Sequence, residues 1–207
     1  MDATTLLSGS RIIPVVVIDD PDAAVPLTEA LIEAGLPTIE ITLRTPRAIE
    51  AIENMVAAFP AACIGAGSVR AASQLARAQD AGARFAVSPG SSELLLDAAA
   101  RYGMPFVPGA ATASEVIRLQ ERGYSLTKFF PAELAGGIKM LQALGAPLPE
   151  AQFFPTGGIT PDLAPGYLKL PNVMCIGGSW IAPDDLIAKG DFKMITRLAR
   201  EAADLIQ

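Results

Sequence analysis

The chain has 207 residues, 51% of them hydrophobic and 18% charged, and 22 acidic against 16 basic side chains leave a net charge of −6. That apolar share excludes a disordered chain, and the acidic balance offers no diffuse positive field to nucleic acid or an anionic membrane. Histidine is absent, which removes Ser-His-Asp and Cys-His nucleophile pairs, His-ligated zinc and the commonest proton carrier at neutral pH, so any chemistry rests on Lys, Glu, Asp, Tyr or backbone groups.

From the N-terminus, residues 1–13 hold no apolar stretch long enough for a signal peptide, and nowhere does the chain reach the roughly 20 apolar residues of a membrane span. A cytoplasmic protein is expected. Short β-branched runs then alternate with Ala-, Leu- and Glu-rich stretches of helical period. The pattern predicts strands over 12–18, 38–43, 62–66, 84–87, 105–108, 126–130, 152–155 and 173–176, with helices over 21–34, 46–59, 71–81, 93–102, 113–122 and 192–206. Gly35, Gly82, Gly103 and Gly123 stand where helices should stop. No Ser- or Pro-rich linker divides the halves, so residues 1–207 are expected to form a single domain. Strict alternation implies parallel strands with right-handed crossovers, and eight units of about 26 residues predict an α/β fold, a single (β/α)8 TIM barrel. A doubly wound open sheet uses the same alternation. The barrel is preferred because nearly every predicted strand ends in Gly, Thr, Ser, Arg or Lys, at the edge where a barrel builds its site. Cys63 and Cys175 lie in apolar runs without partners at metal-ligand spacing and are expected to be buried free thiols.

The chain has five lysines, and Lys139, Lys169, Lys189 and Lys193 fall in helix-like or loop segments. Lys128 lies in Leu126-Thr127-Lys128-Phe129-Phe130-Pro131, where period-two alternation sets it on one strand face with Leu126 and Phe130. Burial in a low dielectric favours a neutral amine, the form that attacks a carbonyl to give a Schiff base; a lysine paired with a core carboxylate fits the same local sequence. In Thr38-Ile39-Glu40-Ile41-Thr42-Leu43-Arg44, Glu40, Thr42 and Arg44 share a face at rising heights toward the mouth. Glu40 there can move protons and Arg44 can clamp a carboxylate through two parallel hydrogen bonds, the competing reading being a buried ion pair. Glycine-rich segments close later strands, among them Thr156-Gly157-Gly158-Ile159 and Gly177-Gly178-Ser179-Trp180. They follow the seventh and eighth predicted strands, where barrels often hold phosphate on backbone N–H groups.

Six ordered motifs cover nearly the whole chain: Glu40-Ile41-Thr42-Leu43-Arg44-Thr45, Gly65-Ala66-Gly67-Ser68-Val69, Ser88-Pro89-Gly90, Lys128-Phe129-Phe130-Pro131-Ala132-Glu133, Pro155-Thr156-Gly157-Gly158-Ile159 and Cys175-Ile176-Gly177-Gly178-Ser179-Trp180. Together they resemble the bacterial 2-keto-3-deoxy-6-phosphogluconate (KDPG) aldolases and the related 4-hydroxy-2-oxoglutarate (KHG) aldolases. The resemblance implies Lys128 as the Schiff-base residue, Glu40 as acid/base, Arg44 and Ser68 as carboxylate ligands, and Thr156, Gly157, Gly158, Gly178 and Ser179 as phosphate ligands, with Pro89 and Phe130 lining the pocket. It also implies cleavage to pyruvate and glyceraldehyde 3-phosphate without metal or cofactor, and a homotrimer; from the acidic balance no nucleic-acid or membrane partner is expected. Two departures stand out. Ser68 occupies a position where threonine is usual, keeping the hydroxyl and losing a methyl, and Phe154 replaces a common cysteine without expected consequence for the chemistry. The rival readings are a non-catalytic phosphometabolite-binding barrel or assembly scaffold, and a metal-dependent aldolase, for which Glu40 alone qualifies as a ligand.

Overall fold

The computed structural model describes residues 2–205. Its strands are β1 (Ile12–Val16), β2 (Thr38–Thr42), β3 (Cys63–Gly67), β4 (Phe85–Val87), β5 (Phe106–Val107), β6 (Gly109–Ala110), β7 (Leu126–Phe129), β8 (Gln152–Pro155) and β9 (Ile176–Gly178). All pair in parallel, as alternation with helices requires. They do not form the expected closed eight-stranded TIM barrel. They form a six-stranded sheet in the order β5-β4-β3-β2-β1-β9 and a three-stranded sheet in the order β6-β7-β8.

Two breaks separate the sheets, and each has a chemical cause. The strand expected over 105–108 ends at Pro108, which has no N–H to give a ladder. On one side of it Val107 pairs with Val87 of β4, and on the other Gly109 pairs with Lys128 of β7. The second break lies between β8 and β9. Pro155 ends β8, again without a donor, and the strand expected over 173–176 begins only at Ile176. Single bridges, Phe153 to Val173 and Thr156 to Gly177, are what connects the sheets there. Carbonyls released at this seam are taken up by Arg11, which donates to Val173 (3.1 Å), Met174 (2.9 Å) and Leu168 (2.5 Å).

The helices are α1 (Ala3–Leu7), α2 (Ala24–Glu33), α3 (Ala48–Ala58), α4 (Ala72–Asp80), α5 (Glu93–Tyr102), α6 (Ala113–Glu121), α7 (Gly137–Gly145), α8 (Ala164–Leu168), α9 (Asp184–Lys189) and α10 (Phe192–Asp204). A 3-10 turn over Pro21–Ala23 precedes α2, and the last residue of the helix expected over 192–206 lies outside the described residues. The four glycine stops all take positive φ, between 64° and 86°, a region open to glycine at little steric cost. A reciprocal capping box of Thr112 and Glu115 starts α6. Among the described residues no helix is long and apolar enough to cross a membrane.

Strand alternation divides the core in two. Ile39, Ile41 and Leu43 join Leu31, Ile52 and Met55 in the larger cluster between sheet and helices. Ile13, Cys63, Phe85, Leu126, Phe154 and Cys175 form a second, inner cluster with Ala3 and Leu7 of α1. Both cysteines are free and buried, and burial pushes both thiols up from their ordinary pKa.

Candidate active site

Strand geometry brings the two sequence-distant candidates together. On β2, Ile39 and Ile41 face the helices, which turns Glu40 and Thr42 to the inner side. Glu40 is fully buried and Lys128 is 4% exposed. The Lys128 Nζ donates to Glu40 Oε1 at 3.0 Å. Ring centroids of Phe130 and Phe154 lie 5.6 and 5.9 Å from Nζ, within the range where an aromatic face attracts a cation. Phe154, expected to have no bearing on the chemistry, therefore forms part of the lysine's surroundings.

Room for this pair is made by a missing side chain. A Cβ on Gly67, in the neighbouring strand β3, would lie 2.1 Å from Glu40 Oε1. The glycine serves close approach as well as the turn that follows it. Beyond it Ser68 takes φ 56°, a left-handed conformation uncommon outside glycine. The Thr42 hydroxyl donates to the Val16 carbonyl at 2.9 Å and so ties β2 to β1 beside the pair.

A cleft of about 540 Å³ opens over these groups. Lys128, Arg44, Ser68, Pro89, Phe130 and Thr156 all line it. Arg70 lines it as well and lies outside the expected set; it stands three residues past β3, beyond the strand alternation that singled out Arg44. Both arginines are exposed, and neither has an ion-pair partner among the described residues. Two buried oxygens near the cleft, Glu40 Oε2 and Thr156 Oγ1, have no hydrogen-bond partner. Buried polar atoms left this way are costly in a folded chain and mark places where a ligand or water completes the bonding.

Gly157, Gly158, Gly178 and Ser179 are not among the residues lining that cleft. They lie beside it. Gly157 and Gly158 take φ 104° and 79° directly after β8, and a Cβ on Gly157 would meet the Phe130 ring at 3.2 Å. The Thr156 to Gly177 bridge sets this turn next to the one after β9. Among the described residues, no group of three or more His, Cys, Asp or Glu is arranged to hold a metal ion.

A family model for KDPG and KHG aldolase matches residues 4–198. A 2-dehydro-3-deoxy-phosphogluconate aldolase of Pseudoalteromonas atlantica is 48% identical over 197 residues, covering 95% of this chain and 92% of the relative. The KHG/KDPG aldolase of Escherichia coli is 44% identical over 202 residues, covering 98% and 95%. Among solved structures, a KDPG aldolase of Legionella pneumophila, with pyruvate captured as a covalent carbinolamine, superposes with a TM-score of 0.95 at 43% identity, covering 98% of each chain. With a family match over residues 4–198 and relatives of this identity along almost all of its length, the chain belongs to the KDPG and KHG aldolase family.

Proposed function

We propose that this chain is a class I aldolase that cleaves 2-keto-3-deoxy-6-phosphogluconate reversibly to pyruvate and glyceraldehyde 3-phosphate. The observation that carries the reading is the contact between Lys128 and Glu40 at 3.0 Å under a cleft, with the second Glu40 oxygen unpartnered. A lysine that pairs with a buried carboxylate and also lines a cleft stands where a substrate carbonyl can reach it.

The Lys128 amine adds to C2 of the keto acid, and the former carbonyl oxygen leaves as water with a proton supplied by Glu40. The resulting iminium withdraws electrons from C3. Glu40, directly or through a water, takes the proton of the C4 hydroxyl; the C3–C4 bond breaks, its electron pair forms the enamine, and glyceraldehyde 3-phosphate departs. Protonation at C3 and addition of water to the imine then release pyruvate and the free lysine. Proton transfer of this kind contributes about 10² to 10⁴ in rate, so it assists the covalent route rather than replacing it. Arg44 and Ser68 hold the C1 carboxylate, and Pro89 and Phe130 confine the chain of the substrate. The N–H groups around Gly157, Gly158, Gly178 and Ser179, with Thr156, receive the phosphate. 4-Hydroxy-2-oxoglutarate presents the same C1 carboxylate, C2 ketone and C4 hydroxyl, and the same centre accepts it as a second substrate.

The enzyme works in the cytoplasm in this reading, where Cys63 and Cys175 remain thiols. It works as a homotrimer; exposed Leu134 and Phe130 beside the site support association, and the subunit number rests on the family resemblance. Borohydride reduction with pyruvate, followed by intact-mass and peptide analysis, tests the mechanism. One reduced pyruvyl group on Lys128 is expected. An adduct on Lys139, Lys169, Lys189 or Lys193 instead, or none at all, overturns it.

A further inference from the structure

The proposed phosphate turn has no cation of its own and, at Gly157 and Gly158, no side chains, so its grip depends on where its N–H groups point. Those directions are fixed from behind. The Ala132 N–H donates to the Thr156 carbonyl at 2.9 Å and the Glu133 N–H donates to the Gly157 carbonyl at 3.1 Å. In a trans peptide the carbonyl of one residue and the N–H of the next point in opposite directions. Two carbonyls drawn toward the segment after β7 therefore turn the N–H groups of Gly157 and Gly158 away from it.

That segment is itself anchored at Glu133. The Tyr167 hydroxyl of α8 donates a hydrogen bond to Glu133 Oε1, and Tyr167 is completely buried. Burial, followed by the bond to Glu133, pushes the phenol up from its ordinary pKa, so the hydroxyl keeps its proton and remains a donor. The packing leaves little freedom. A Cβ on Gly158 would meet Glu133 Cβ at 2.9 Å, and one on Gly137 would meet Glu133 Oε1 at 3.0 Å and the Tyr167 hydroxyl at 3.1 Å. A charge-assisted bond from a buried phenol is strong enough to hold such an arrangement. It also engages, through its own donor, a carboxylate that would otherwise repel an anion in the neighbouring turn.

We infer that Tyr167 and Glu133 are positioning residues for the phosphate end of the substrate: their hydrogen bond fixes the segment that aims the Gly157 and Gly158 N–H groups. The inference rests on the phosphate assignment proposed above. Neither residue lines the cleft that contains Lys128, so the chemical step should be indifferent to their bond.

The test compares cleavage of 2-keto-3-deoxy-6-phosphogluconate with cleavage of the unphosphorylated sugar acid in wild type, Tyr167→Phe, Glu133→Ala and Glu133→Gln. Tyr167→Phe keeps the ring in the core and removes only the donor. It is expected to raise KM for the phosphorylated substrate about tenfold, with kcat, turnover of the unphosphorylated acid and borohydride trapping of pyruvate unchanged. Glu133→Ala should behave alike, whereas Glu133→Gln, whose amide oxygen still accepts from the phenol, should keep most of the preference. Full retention of the preference in Tyr167→Phe, or equal losses on both substrates, overturns the inference while leaving the phosphate assignment standing. Absence of any preference in the wild type overturns the assignment and the inference with it.

Discussion

One Glu40 oxygen accepts from Lys128 and the other has no partner, so removing its charge and displacing its position are separable experiments. Glu40→Gln keeps the shape and loses the proton acceptor; kcat is expected to fall about 10²-fold or more while pyruvate can still be trapped on Lys128. Gly67→Ala reaches the same carboxylate sterically, because its Cβ would stand 2.1 Å from Oε1. Steady-state assays should show its kcat falling toward that of Glu40→Gln with Lys128 untouched, and wild-type kcat in this variant would mean that the carboxylate has no fixed working position. Arg44, exposed at the mouth, can bind but not move a proton. Arg44→Ala should weaken pyruvate saturation by about 1.5–3 kcal/mol with a smaller effect on kcat. A small effect from Glu40→Gln, no larger than that of Arg44→Ala, would return the Glu40–Lys128 contact to a purely structural role.

Elements were legible where a period and a stop signal agreed. The helix expected over 93–102 is α5 with its Ser92 cap and its left-handed Gly103 stop, and β8 keeps its expected bounds of Gln152–Pro155. The helices α1, α8 and α9, of five, five and six residues, are too short to show a period, and Pro165 and Gly166 inside α8 argue locally against a helix; α7 opens on Gly136-Gly137, which reads as a turn. The sheet break at Pro108 was written in the sequence as a missing donor, yet alternation alone treated 105–108 as one strand. The seam between β8 and β9 could not be read at all, since its carbonyls are satisfied by Arg11 from a residue just before β1. This dependence gives a stability prediction. Arg11→Met leaves three carbonyls without their charged donor and should cost about 3 kcal/mol, or roughly 6–12 °C in Tm for a chain of this size. Arg11→Lys, a point charge without the planar fork, should recover only part of it. Urea unfolding that shows a loss below about 0.5 kcal/mol for Arg11→Met would leave the seam held by other contacts.

Across the whole molecule, the site joins residues 88 positions apart, Glu40 and Lys128, and the sequence supplied their types and faces but not the interruptions of the sheet around them. Glu133 ends the Lys128–Glu133 motif without a role legible in its spacing, and Tyr167 carries no local signal, because a positioning contact between two crossovers has no spacing to detect. The outer surface carries one more legible conflict: Leu134 is 90% exposed and Phe130 is 36% exposed in the same segment after β7. Phe130 also lines the cleft, so a cover that spans this segment would touch the wall of the cleft. A second copy of the chain is the expected cover, each leucine buried contributing about 1.5–3 kcal/mol. Leu134→Glu would place a charge against that apolar contact and should shift the sedimenting mass from a multiple of 21.5 kDa toward 21.5 kDa itself. If a second copy supports the Phe130 wall, the activity of this variant should fall with dilution faster than that of the wild type. A wild-type protein that already sediments at 21.5 kDa, with specific activity independent of concentration, would assign the exposed pair to the substrate side of the cleft alone.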